Sequence, residues 1–304
     1  MNQSSKYSKF TLLCIAAILQ AVWGLVPVAS KFVIDEIPNE LYIALRWSIS
    51  GLIFLVFLTV TRTWSRVSLK SAFSVALLGF LGYGIASLGT LYGLEIGGVT
   101  NFALISALSP VVTALVSIAL LKERPNRFFM LAMPLSLAGL LLLILGKYSV
   151  SSLGIAAGSA VCILAGYTLE ALVFVYSKKY KSAMSIAQYL AMAQLSAAAF
   201  MWLAQLVAFH QVSQVMNLSL NGLCSLIFVA VIACVLCYAV LYWLLKYIEG
   251  HKLALFDGFH ALSAAVFGVW IFNEALTSLM VIGGVLIVAG LVLGNRSQVQ
   301  MPAD

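Results

Sequence analysis

Apolar residues run through this chain in long blocks, each about 18–25 residues, separated by short polar or Gly/Pro-containing breaks. Ten blocks can be drawn, at roughly 10–32, 40–60, 72–93, 99–121, 128–146, 153–177, 185–208, 219–246, 253–272 and 277–295. At about 1.5 Å per residue, a block of this length spans the hydrocarbon core of a bilayer as an α-helix. A backbone exposed to lipid must satisfy its own N–H and C=O groups, which a helix does and an open strand does not. The short alternating segments of a membrane barrel are absent. The pattern predicts an all-α membrane protein with ten transmembrane helices.

Composition agrees: of 304 residues, 63% are hydrophobic and only 9% charged. A soluble fold of this size could not cover so much apolar surface. The first block, Phe10 to about Ile34, is too long for a signal-peptide core and lacks a small-residue cleavage site, so it is expected to remain as a membrane helix. Cys14, Cys162, Cys224, Cys234 and Cys237 all sit inside apolar blocks. The CxxC of Cys234 and Cys237 has no further ligands and no soluble redox context. These thiols read as small packing residues, and no disulfide, metal site or cofactor is expected.

Lysine and arginine give the helices a direction, because they collect on the cytoplasmic side. With the N-terminus inside, the inner side holds Lys6, Lys9, Arg62, Arg66, Lys70, Lys122, Arg124, Arg127, Lys178, Lys179, Lys181, Lys246, Lys252 and Arg296. Lys31, Arg46 and Lys147 fall on the outer side. Both termini are therefore expected in the cytoplasm. The formal charge of +7 is mainly a topology signal, not a nucleic-acid surface. Short loops with this bias suit a bacterial cytoplasmic (inner) membrane.

The chain also repeats itself. A shift of 151 positions lays Glu123 on Glu274, Ala114 on Ala265, Leu135 on Leu286, Ala138 on Ala289, Gly139 on Gly290 and Leu140 on Leu291. Five helices per half is an odd number, so the two halves face opposite ways across the membrane. The expectation is two inverted five-helix repeats, residues 1–148 and 149–304. Inverted repeats build secondary transporters, which bind substrate near mid-membrane between the halves.

Particular stretches carry a family resemblance. The first helix holds "WGLVPVASK", from Trp23 to Lys31, and the second holds "LRWSISG" around Arg46. The fourth ends "LSPVVTALVSIALLKERP", and the last two read "ALFDGFHALSAAVFGVWIFNEALTSLMVIGGVLIVAGLVL". In order and spacing these resemble the ten-helix EamA-like branch of the drug/metabolite transporter superfamily, over essentially the whole chain. The resemblance implies secondary transport of small molecules, with a leaning toward export of amino acids and related metabolites. One departure is visible. The family often has a ninth-helix proline matching Pro110, but Ala261 stands there, beside His260.

Ionisable groups deep in a span are costly and mark function. Glu170 lies roughly 7 residues from the inner end of the sixth helix. Asp257 and His260 lie roughly 4 and 7 residues from the inner end of the ninth, so the depths agree within a helical turn. Asp257 and His260 share a helix face, and the 151 shift lays them on Ser106 and Ser109. These five residues are expected to line a central cavity. A carboxylate there can hold a substrate amine or take up a proton, and a histidine can relay one. Two alternatives stand beside this: Asp257 and His260 pair to pack the ninth helix against the sixth, or Asp257 is wetted from the cytoplasm.

Trp23, Tyr83, Tyr92, Tyr167, Tyr238 and Tyr242 lie in helices that the family places around its pore. Each offers an apolar face with a polar edge, although a belt or packing role explains any one alone. Lys31 and Arg46, near outer helix ends, read as snorkelling anchors or as gating or packing partners of Asp35, Glu36 or Glu40. Glu123 and Glu274 are expected to contact neighbouring chain ends.

The leading function is secondary transport, by alternating access, of a small polar or amphiphilic metabolite, an amino acid or derivative. Export is favoured, while proton coupling and homodimer formation stay open. The alternative is a translocator of a lipid or lipid-linked metabolite, an importer of the same fold, or a scaffold without transport. An enzyme is not expected, since HExxH, GxSxG and an intramembrane aspartate pair are all missing. Nor does the sequence contain a P-loop for an ATP-driven pump.

Overall fold

The computed structural model describes residues 8–121, 127–147, 153–181, 184–207, 213–216, 218–244, 247 and 257–295; Glu123 lies outside them. The first half comprises α1 (Lys9–Gly24), α2 (Val26–Ile34), α3 (Asn39–Thr61), α4 (Leu69–Gly79), α5 (Ala86–Ser106), α6 (Ser109–Leu121) and α7 (Arg127–Lys147). The second comprises α8 (Leu153–Lys181), α9 (Ile186–Val207), α10 (Leu220–Ile227), α11 (Tyr238–Leu244), α12 (Asp257–Phe272) and α13 (Ser278–Asn295). π-Helical segments, Phe80–Ile85 and Phe228–Cys237, join α4 to α5 and α10 to α11.

Local chemistry explains the breaks. The first apolar block is two helices because Pro27 has no N–H to donate and its ring excludes the preceding turn. Leu25 N–H bonds instead to Val22 O at 3.1 Å. Leu69–Ser106 covers 38 helical residues, about 57 Å at the α-helical rise, nearly twice a hydrocarbon core. It cannot be one straight span. Gly98 divides it at φ 76°, ψ 173°, a backbone region open essentially to glycine. A second break separates α5 from α6, where Pro110 enters the first turn of the new helix.

Helices stand at each of the ten predicted blocks. Among the described residues six stretches are long and apolar enough to cross a membrane: Phe10–Ile34, Asn39–Thr61, Leu69–Ser106, Ala157–Ser177, Ile186–Gln205 and Leu220–Leu241. Three shorter apolar helices, Met133–Leu142, Ser263–Phe272 and Ser278–Gly290, accompany them.

The packing follows the repeat. α3 lies along α9, α7 along α13, α5 against α8, and α1 against α12. Exchanging the halves by the 151 shift maps the first two pairs onto themselves and carries α12–α1 onto α6–α8, which also pack together. Buried polar groups stitch these pairs together. Ser50 Oγ donates to Gln194 Oε1 at 2.6 Å, joining α3 to α9. Asn101 Nδ2 donates to Ser159 Oγ at 3.1 Å, and Ser159 Oγ donates to Gly93 O at 2.8 Å, joining α5 to α8. Such hydrogen bonds hold helices together where lipid offers no hydrophobic drive. The perimeter is apolar: Leu52, Val56, Phe57 and Val60 of α3 are exposed, while Leu41, Tyr42, Ile43 and Ala44 of the same helix are buried.

Candidate functional site

A cavity of about 220 Å³ lies between the halves. The first half contributes Trp23, Ser30, Arg46, Trp47, Tyr83, Ser87 and Thr90, among others. The second contributes Tyr167, Glu170, Cys234, Tyr238 and His260.

Both π-helical segments form part of its wall, through Gly82 and Tyr83 on one side and Ala233 and Cys234 on the other. A π-turn interrupts the regular hydrogen-bond ladder and is common at functional sites. In each segment an indole takes a backbone carbonyl. Trp47 Nε1 donates to Tyr83 O at 2.6 Å, and Trp23 Nε1 donates to Ala233 O at 3.1 Å. Each indole also meets a tyrosine edge-on at 71°: Trp47 with Tyr83 at 4.8 Å and Trp23 with Tyr238 at 5.5 Å between centroids. The 151 shift lays Phe80–Ile85 on residues 231–236, inside the second π segment. The repeat therefore includes its helical irregularities.

His260 reaches the cavity because α12 presses directly onto α1 at Gly24. A Cβ on Gly24 would lie 1.8 Å from Ser263 Oγ and 2.4 Å from His260 O. Ser263 Oγ fastens the crossing, donating to Ala21 O and His260 O, both at 3.1 Å.

Arg46 stands differently from the sequence expectation. Only 7% exposed, it neither snorkels nor pairs with Asp35, Glu36 or Glu40. Its Nη2 donates to Ser87 Oγ at 2.9 Å. The guanidinium lies 4.5 Å from the Trp47 ring centroid and 5.2 Å from that of Tyr42. Its Nε has no hydrogen-bond partner among the described residues.

Several acids are engaged elsewhere. Lys31 Nζ meets Asp35 Oδ1 at 2.6 Å. Tyr92 donates its hydroxyl to Glu40, and Asn39 Nδ2 donates to Glu95 at 2.7 Å. Two carboxylates close helix ends across the halves. Glu36 accepts from the Ser219 N–H at 2.7 Å and its hydroxyl at 2.5 Å, at the start of α10. Glu274 accepts from the N–H groups of Val99 and Thr100 at 2.7 and 2.8 Å. That is the end of the helix restarting after Gly98, where unsatisfied N–H groups and the helix dipole favour an anion.

Of the residues singled out from sequence, Trp23, Tyr83, Tyr167, Glu170, Tyr238 and His260 line the cavity. Ser106 and Ser109 do not. The break between α5 and α6 turns the predicted face away: Ser106 Oγ bonds back to Ala103 O at 2.7 Å, and Ser109 begins the next helix. Tyr92 is absent from the lining, being held by Glu40. The side chains of Asp257 and Tyr242 lie outside the described set. Sequence reasoning missed Ser30, Trp47, Ser87 and Thr90, and it misplaced Arg46. A charge inside an apolar block was the available signal for Arg46.

The profile of the EamA-like transporter family matches residues 11–145 and again residues 157–296. The chain belongs to the EamA-like transporter family. Each half of this EamA-like protein is one family unit, and its apolar helices make it an integral membrane protein. No curated protein gives a significant match. One solved crystal structure aligns with a TM-score of 0.63 at 17% identity, over 94% of this chain and 98% of that one. At that identity the likeness is one of fold.

Proposed function

We propose that this EamA-like protein is a secondary transporter that exports a small polar or amphiphilic metabolite, an amino acid or derivative, from a bacterial cytoplasm by alternating access. The observation that carries this reading is the cavity's make-up. Both halves wall it, so relative motion of the halves changes its access. It gathers a cation, a carboxylate, an imidazole and several aromatic side chains, which suits a zwitterion with an apolar side chain. Its volume of about 220 Å³ falls below the roughly 300–1,000 Å³ of sites for drug-sized molecules, which favours a small metabolite over a lipid. Glu170 holds the amine or a coupling proton, with His260 beside the path.

The test is efflux from proteoliposomes loaded with radiolabelled amino acids, in wild type, Glu170→Gln and Asp257→Asn. Wild type should empty the vesicles faster than protein-free controls, and the variants should lose most of that rate. Wild-type efflux of no amino acid, or unimpaired efflux by both variants, refutes the assignment.

A further inference from the structure

We propose that Arg46 is the docking point for the carboxylate of the transported molecule, held at the guanidinium edge that carries Nε. This rests on the reading of the cavity as the transport site.

A guanidinium stays protonated throughout the physiological pH range. Buried within a membrane span, its charge requires compensation. What the protein supplies is incomplete. Ser87 gives one neutral acceptor, the Tyr42 hydroxyl stands as a second neutral partner, and the rings of Trp47 and Tyr42 lie within cation–π reach. An aromatic ring attracts the cation but takes up none of its N–H groups as a full acceptor would, so the in-plane donors still call for one. Nε is one such donor, in a side chain 93% buried at the cavity wall, and no described group accepts from it. Glu36, Glu40, Glu95 and Asp35 are bonded to Ser219, Tyr92, Asn39 and Lys31 and do not line the cavity. A carboxylate has two coplanar oxygens, which match the planar donor edge of a guanidinium. Glu170 of the opposing half lines the same cavity and brings a carboxyl group to it. A zwitterion can thus bridge the halves, its carboxylate on the first and its ammonium on the second.

The experiment is a thermal-shift measurement on the full-length protein in detergent. The probes are L-amino acids, each beside its carboxamide and its decarboxylated amine at matched concentration, with inorganic phosphate as a separate arm. At least one acid should raise the melting temperature while its carboxamide and amine do not. Arg46→Gln should weaken that acid's binding about 10- to 100-fold, as expected for loss of a hydrogen bond to a charged group. Its ligand-free melt shows whether it folds, and the acid–carboxamide comparison on wild type stands if it does not. Equal binding of acid and carboxamide, or an acid shift kept in folded Arg46→Gln, overturns the role of Arg46 while leaving the transport cavity intact. A shift with phosphate and no carboxylate overturns the carboxylate assignment. No shift with any probe counts against both readings.

Discussion

Glu274→Ala removes the carboxylate that accepts two backbone N–H groups, at 2.7 and 2.8 Å, where α5 resumes after Gly98. Loss of an N-cap acceptor costs about 0.5–2 kcal/mol, and loss of an anion at a helix N-terminus about 0.3–1 kcal/mol. The two overlap, so a loss of about 1–2.5 kcal/mol is expected. At about 2–4 °C per kcal/mol for a large domain, the melting temperature should fall by several degrees. Glu274→Gln keeps one acceptor oxygen without the charge and should fall between. Gly98→Ala tests the same contact from the other side. Its Cβ would lie 2.6 Å from Glu274 Oε1, and the backbone there is at positive φ. The glycine and the carboxylate act on one structure, so Gly98→Ala with Glu274→Ala should cost clearly less than the sum of the singles. The assay is thermal melting of purified protein in detergent, read as a double-mutant cycle. Full additivity, or an unchanged melt for Glu274→Ala, would falsify the capping role.

Ser50→Ala strands the amide of Gln194, both residues being fully buried, and should cost about 1–3 kcal/mol; adding Gln194→Met should recover most of it in the same melt. Trp47→Phe keeps the aromatic face but drops the donor to Tyr83 O, so about 1 kcal/mol of stability should go, with efflux slowed more than the stability loss explains. Gly24→Val forces α12 off α1, since its Cβ would lie only 1.8 Å from Ser263 Oγ, and the loss of the crossing should abolish efflux and shorten the protein's lifetime in detergent. In a cysteine-free background, a cysteine at Thr63 should label only from the inner face and one at Leu276 only from the outer face. The reverse pattern would invert the topology drawn from the lysines and arginines.

Long apolar blocks were easy to read, since their length and composition answer to the bilayer alone. Pro27 announced its own break, because a missing N–H acts locally. Gly98 did not announce its role. A glycine in an apolar block has many uses, and only Glu274, 176 residues away in sequence, shows why this one turns the chain. The π segments were invisible for the same reason: "FLGYGI" and "FVAVIACVLC" carry no signature, and the carbonyls there are claimed by tryptophans from other helices. Cavity residues were legible where a polar or aromatic side chain is rare in its span, as with Glu170, His260 and Trp23. Ser106 and Ser109 were misread because a register counted along one helix does not survive the break at Ala107–Leu108. Arg46 was misread because closeness to a helix end suggested water, while Trp47, Tyr42 and Ser87 hold it inside.

The Glu274 cap also sets an order of events during synthesis. Val99 leaves the ribosome 175 residues before the carboxylate that completes its helix end. At about 5–20 residues per second that interval is roughly 9–35 s. Over that time the nascent first half sits in the membrane with a helix terminus whose carboxylate partner has not yet been made. The second half thus completes its predecessor as it folds, and a chain truncated before residue 274 should linger as a substrate for membrane proteases.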